Sequence, residues 1–172
     1  MEFLELAKSR YSVRSYNGKK VEREKLDKIL YAAHTAPTAA NLQPVKLIVV
    51  QSDEGLKKIN QAARIYNAPL VIIVCSDTSK AWIRKYDSKN TVDIDASILT
   101  DHMMLEATDL GLGSLWICWF KPDVIKEEFH LPNHLEPINL LAIGYTDEQP
   151  ANPERHEKTR INLDELVSYE TL

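Results

Sequence analysis

The spacing of apolar residues changes several times along this chain, and each change marks an element. Leu26, Ile29, Leu30 and Ala33 recur at helical intervals. That spacing predicts a helix over about Val21–Thr35 that stops before Pro37. A shorter helix, Glu2–Ser9, precedes it, and Val45–Gln51 then reads as a strand. Ser52 or Asp53 can cap the next helix, which turns Leu56, Ile59 and Ala63 inward. The continuous apolar run Leu70–Cys75 predicts a strand buried on both faces.

A polar, aromatic insert (Lys80–Asn90) leads into the longest helix, roughly Val92–Leu110. Ile98, Leu99, Met103, Ala107 and Leu110 give that helix more than one apolar face. It is therefore expected to be central or packed on a second subunit, with Gly111 as its stop. Ser114–Phe120 reads as another strand. Pro122 opens a short helix through Phe129, which Pro132 closes, and Ile138–Ile143 is the last core strand. From Tyr145 to Leu172 the chain is polar and proline-bearing until Leu163, Leu166, Val167 and Tyr169. This predicts an arm that docks only at its end. In a monomer it would be poorly tied down; against another subunit it would be useful. With no repeat, linker or low-complexity segment, residues 1–172 are expected to form one domain.

Composition narrows the function. Of the 172 residues, 44% are hydrophobic and 27% charged, which suits a globular chain with a real core. A net charge of −4 argues against a nucleic-acid partner, and Lys19–Lys20 and Lys57–Lys58 read as solvated helix edges. The Leu70–Cys75 run is too short to span a bilayer. The opening segment carries Glu2 and Glu5, unlike a secretory signal. Cys75 and Cys118 form no CxxC pair, so a reducing cytoplasm is the expected home.

Several familiar chemistries are missing. Gly111-Leu112-Gly113 suggests a dinucleotide fingerprint, but its third glycine would fall at Trp116, and the glycines follow a helix rather than a strand. His130 and His134 have metal spacing, but Pro132 prevents one helical face from presenting both. Neither a G-x-S-x-G elbow nor a P-loop occurs.

Four segments carry candidate chemistry instead. Arg10, Ser12 and Arg14 alternate along an extended stretch, so they project together and can grip a phosphate and a carbonyl edge. Alone they read more simply as solvated loop residues. Pro37-Thr38-Ala39-Ala40-Asn41-Leu42-Gln43-Pro44 combines small residues with neutral hydrogen-bonding groups; an ordinary proline-bounded turn would look the same. Gly111–Phe120 is a glycine-led aromatic strand, containing Trp116, Ile117, Cys118 and Trp119, which also suits a plain core strand. Arg155, Lys158 and Arg160 form a basic cluster in the acidic chain, or else a solvated charge run.

Taken in order, the four resemble the nitroreductase family over essentially the whole chain. That family opens with Arg-x-Ser-x-Arg, like Arg10–Arg14, and continues with Pro-Ser-Ser-x-Asn-x-Gln-Pro, like Pro37–Pro44. A long helix then runs into Gly-Leu-Gly-x-x-Trp-Ile, as in Gly111–Ile117, and a basic arm completes the pattern. The resemblance implies an FMN site in which Arg10, Lys158 and Arg160 hold the phosphate, with Arg155 as an alternative. Ser12 is then expected near the ribityl or phosphate region. Arg14 would face the N1/O2 edge, where a fixed positive charge favours the reduced ring. Asn41 and Gln43 are expected to reach the ribityl chain or ring from the neighbouring subunit, with Pro37 and Thr38 also in the cofactor site. Main-chain N–H groups around Cys118 and Trp119 would serve N5 and O4, with Trp116 and Ile117 also in the cofactor site. Three residues depart from the pattern: Ala39 replaces a hydroxyl, Val45 a frequent tryptophan, and Trp119 a frequent glycine, which changes the space beside the ring.

By the same resemblance the fold is α+β: a mixed, mostly antiparallel sheet flanked by helices, in an intertwined homodimer with exchanged C-terminal arms. The expected activity takes hydride from NADH or NADPH and reduces a small nitroaromatic or quinone acceptor by a ping-pong mechanism. Trp82 and Tyr86 are candidates for a substrate lid, or else exposed aromatics of the insert. Two rival readings stay open: a specialised flavoenzyme of the same fold, such as a dehalogenase or dehydrogenase, and a non-catalytic FMN carrier or sensor with Trp119 filling its pocket.

Overall fold

A computed structural model describes residues 2–172. Its sheet has four strands: β1 (Val45–Val50), β2 (Leu70–Asp77), β3 (Gly113–Ile117) and β4 (Leu135–Gly144). They lie in the order β1-β2-β4-β3, with every neighbouring pair antiparallel. One parallel bridge, Ser12 to Ser114, adds the segment after the first helix to the β3 edge.

The apolar run in β2 is buried along its whole length because both faces of the sheet are covered. Val71, Ile73 and Cys75 face a core that holds Val13, Ile59 of α3 (Asp53–Ala62) and Ile125 of α5 (Pro122–Glu128). Leu70, Ile72 and Val74 face the opposite core, with Leu26 and Ile29 of α2 (Arg23–Thr35) and Leu99 and Met103 of α4 (Val92–Asp109). Ser52 caps α3 by accepting the Gly55 N–H at 3.1 Å. Beyond α4, Gly111 takes a left-handed φ of +74°, a conformation that glycine adopts without a Cβ penalty. A buried polar pair fixes the rotation of α4: the Asn139 amide of β4 donates to Thr100 Oγ1 at 3.1 Å.

Three elements differ from the sequence reading. β3 ends at Ile117 rather than Phe120, because its ladder with β4 runs out at Leu140 and the chain turns away. β4 extends back to Leu135 and includes Pro137, tolerated where the β2–β4 register shifts between Val74 and Cys75. The arm holds two short helices, α6 (Arg155–Thr159) and α7 (Leu163–Leu166), but its apolar end is left exposed rather than docked. Leu163, Leu166 and Val167 are exposed, and Tyr169 is 87% exposed. The remaining helix, α1 (Phe3–Ser9), lies at the start. Among the described residues, no helix is long and apolar enough to cross a membrane.

Candidate functional site

Three of the four candidate segments meet beside the free edge of β3. The Val13 N–H donates to Ser114 O at 3.0 Å and Ser12 bridges to Ser114, which fixes the extended Arg10–Arg14 stretch along that strand. Val13 points into the core while Ser12 and Arg14 on either side are exposed, the alternation expected of an extended backbone.

At one end of this stretch lies a polar cleft of about 270 Å³ lined by Arg10, Tyr11, Ser12, Arg155, His156, Thr159 and Arg160. Burial, and next the cations of Arg155 and Arg160, push the half-buried Arg10 guanidinium below its ordinary pKa; Asp101 opposes this. Among the described residues, neither Arg10 nor Arg160 is held in an ion pair. Converging arginines without carboxylate partners fit an anion such as a phosphate, which would relieve their mutual repulsion.

The arm's basic residues divide by geometry. Arg155 is spent on structure: its guanidinium donates to Lys8 O at 3.1 Å, Arg10 O at 2.5 Å and Asn152 O at 3.0 Å. His156 Nε2 also lies 3.3 Å from Lys8 O. Arg160, one turn on, lines the cleft, whereas Lys158 does not.

At the other end of the stretch, Arg14, Arg64, Tyr66, Leu115, Trp116, Ile117, Cys118 and Trp119 line a second cleft of about 190 Å³. Arg14 leans back so that its guanidinium lies 3.4 Å from Ser12 O. Arg64 lies over the Tyr66 ring at 4.6 Å. Sequence reasoning missed both Arg64 and Tyr66. They sit on the turn between α3 and β2, where nothing local marks them, and they reach the cleft because the Tyr16 N–H donates to Tyr66 O at 3.3 Å. Cys118 is an exposed free thiol. Trp119 is 92% exposed, so its ring does not fill this cleft within the chain. Trp116 carries a buried indole N–H without a partner, and Ser114 Oγ on the same sheet face is likewise unsatisfied.

The fourth segment lies elsewhere. Pro37–Gln43 leads into β1, at the opposite edge of the sheet, about 14 Å or three strand spacings from β3. Ala40, Asn41 and Gln43 all have left-handed φ values, of 50°, 54° and 51°. Such residues persist where surrounding bonds hold them. Here the Gln43 N–H donates to Thr38 Oγ1 at 3.1 Å, and the Gln43 amide donates to Asn41 O at 3.2 Å. Pro37 is exposed, and Thr38 and Gln43 line a separate cleft with His34, Val45 and Leu99. The single chain thus places the candidate residues in two separate groups on opposite sheet edges.

Comparison with known proteins gives the family. The model of the nitroreductase family fits residues 7–66 and 60–145, and the chain belongs to that family. A crystal structure of a nitroreductase family protein from Clostridium difficile 630 is 59% identical, with a TM-score of 0.98 and full coverage of both chains. An FMN-dependent nitroreductase from Clostridium difficile R20291 is 32% identical, with a TM-score of 0.75; the match covers 92% of this chain and 98% of that one. An FMN reductase (NAD(P)H) of Bacillus subtilis strain 168 is 32% identical over 92% of this chain and 74% of its own length.

Proposed function

We propose that this protein is an FMN-dependent NAD(P)H oxidoreductase that works as a homodimer and reduces a small organic acceptor of the nitroaromatic or quinone type. The observation that carries the reading is the pair of clefts at the two ends of the Arg10–Arg14 stretch beside β3, one lined by arginines and the other by arginines and aromatic residues.

In this reading Arg10 and Arg160 bind the FMN phosphate, Ser12 lines the same cleft, and Arg14 and Arg64 set two cations where the ring accumulates negative charge. Main-chain N–H groups of Trp116–Trp119 orient the ring. Arg155 holds the arm in place so that Arg160 can reach the cleft. Bound FMN supplies the hydride chemistry, which explains why no catalytic triad or carboxylate pair is needed. Donor and acceptor would enter the same open side in turn and exclude one another, giving ping-pong kinetics. The exposed Trp119 supplies a flat apolar wall for a planar acceptor.

The dimer follows from the divided site. Pro37, Thr38, Asn41 and Gln43 cannot join the β3 half-site within one chain, but a second copy can bring its own. The same copy would cover Leu163, Leu166, Val167 and Tyr169, whose exposure together is unusual for a monomer. We infer that the arm is exchanged and that residues 1–172 function as one unit. The free thiols of Cys75 and Cys118 suit a reducing cytoplasm.

The test is an absorbance spectrum of the purified, FMN-loaded protein before and after anaerobic NADH or NADPH. Loss of the long-wavelength flavin band in one stoichiometric step is expected. A flavin that neither donor bleaches would move the carrier reading ahead. A flavin-loaded monomer in dilute sedimentation runs would overturn the dimer.

A further inference from the structure

Asp95 is not among the residues given a role above, yet it is a carboxylate buried to 1% exposure, and among the described residues no cation pairs with it. A group so placed is costly unless its bonds are made. Both oxygens are used. Oδ1 accepts the Ala39 N–H at 2.8 Å, and Oδ2 accepts the Thr91 hydroxyl at 2.9 Å.

These two partners belong to different segments. Ala39 opens the Ala39–Asn41 turn and precedes the three left-handed residues Ala40, Asn41 and Gln43. Thr91 closes the insert: its N–H donates to Trp82 O at 3.1 Å, and its hydroxyl also lies 3.4 Å from that carbonyl. The insert is a small built hairpin, with an Ile83–Asn90 bridge, an Arg84–Lys89 main-chain bond of 2.9 Å, and an ion pair of Arg84 Nε with Asp87 at 2.8 Å. It displays Trp82, Ile83 and a 96% exposed Tyr86. Its base is therefore tied to the same carboxylate as the Ala39–Gln43 loop.

We propose that Asp95 is a positioning residue that locks the Ala39–Gln43 loop and the Trp82–Asn90 hairpin to one point at the start of α4. The loop is the part that faces FMN, and the hairpin becomes a fixed wall of the acceptor site rather than a freely moving lid. The inference rests on the FMN reading above. A displacement of about 1 Å in such a support can cost far more activity than the lost bond itself suggests.

Three variants in the FMN-loaded dimer and in the apo-protein test it. Asp95→Ala loses both bonds, and affinity for FMN and for riboflavin is expected to fall alike, by about tenfold or more. Asp95→Asn keeps one acceptor oxygen and is expected to restore affinity to within about threefold of the parent. Thr91→Val removes only the hydroxyl link; the KM of a quinone acceptor rises while FMN affinity and NADH reduction hold.

Hydrogen exchange in the apo-protein gives a readout that does not depend on flavin. Asp95→Ala should speed exchange in both 38–43 and 82–90, and Thr91→Val in 82–90 alone. If neither segment responds, Asp95 does not position them, whatever the flavin does. If both respond but the parent binds no FMN, the positioning stands and the FMN reading fails. If Asp95→Ala does not fold, Thr91→Val decides: equal acceptor KM and unchanged exchange in 82–90 would overturn the link.

Discussion

Val13 occupies the space that a side chain on Gly113 would need. A Cβ there would lie 2.6 Å from Val13 Cγ2 and 3.1 Å from its Cβ. The second glycine of Gly111-Leu112-Gly113 thus allows the Arg10–Arg14 stretch to approach β3, and it links two of the four sequence segments directly. Gly113→Ala is expected to destabilise the fold by about 1–3 kcal/mol through overpacking. Because Ser12 and Arg14 flank the displaced valine, FMN affinity should fall as well. Chemical denaturation and flavin titration check the two effects; unchanged values for both would mean that the approach is not needed.

Arg160 and Arg155 should separate phosphate recognition from arm placement. Arg160→Ala is expected to weaken FMN binding roughly ten- to a hundredfold, with a smaller effect on riboflavin, which lacks the phosphate. Arg155→Ala instead frees the carbonyls of Lys8 and Arg10. It should loosen the arm and weaken both ligands. Equal losses for FMN and riboflavin in Arg160→Ala would remove Arg160 from the phosphate site.

Cys118 is exposed, and the proposed role of its segment belongs to main-chain N–H groups. Cys118→Ser should therefore retain flavin reduction by NADH at close to the parent rate. Complete loss with FMN still bound would give the thiol a role of its own. Cys75 is different: burial pushes its thiol up to about 11, so alkylating reagents should modify Cys118 first and Cys75 only after unfolding.

Glu22 supplies a pH-dependent link between α2 and the end of the sheet. The hydroxyl of Tyr145 donates to it at 2.7 Å and Lys19 Nζ lies at 3.2 Å. The Tyr145 bond, then Glu22's own backbone N–H and Lys19, hold its carboxyl near 2, against an ordinary 4.5. A lowered folded-state pKa means stability that is fully present above about 4.5 and lost as pH falls towards 2. The stability advantage of the parent over Glu22→Gln should shrink across that interval. A constant difference from pH 6 to pH 2 would contradict the linkage.

The order of the elements, the buried strand β2 and the caps at Ser52 and Gly111 were legible in the sequence. They depend on local signals: apolar period, side-chain acceptors beside free N–H groups, and a residue tolerant of positive φ. The candidate chemistry was legible for the same reason, since Arg10, Ser12 and Arg14 alternate within five residues. What the tertiary structure decided involves partners far apart in the chain. Arg64 lines the same cleft as Arg14 only because the Tyr16 N–H holds the α3–β2 turn through Tyr66 O. Arg155 ties the arm to the end of α1 because two carbonyls there lie within its reach. Asp95 holds Ala39 across 56 positions. Even Trp119, which a strand reading would have paired, stands exposed because the chain leaves the β3–β4 ladder after Ile117, although β4 itself continues to Leu135. Side-chain chemistry is written residue by residue. Which groups meet, and which carbonyl or carboxylate is already satisfied, is set only when the sheet and its two helical layers close.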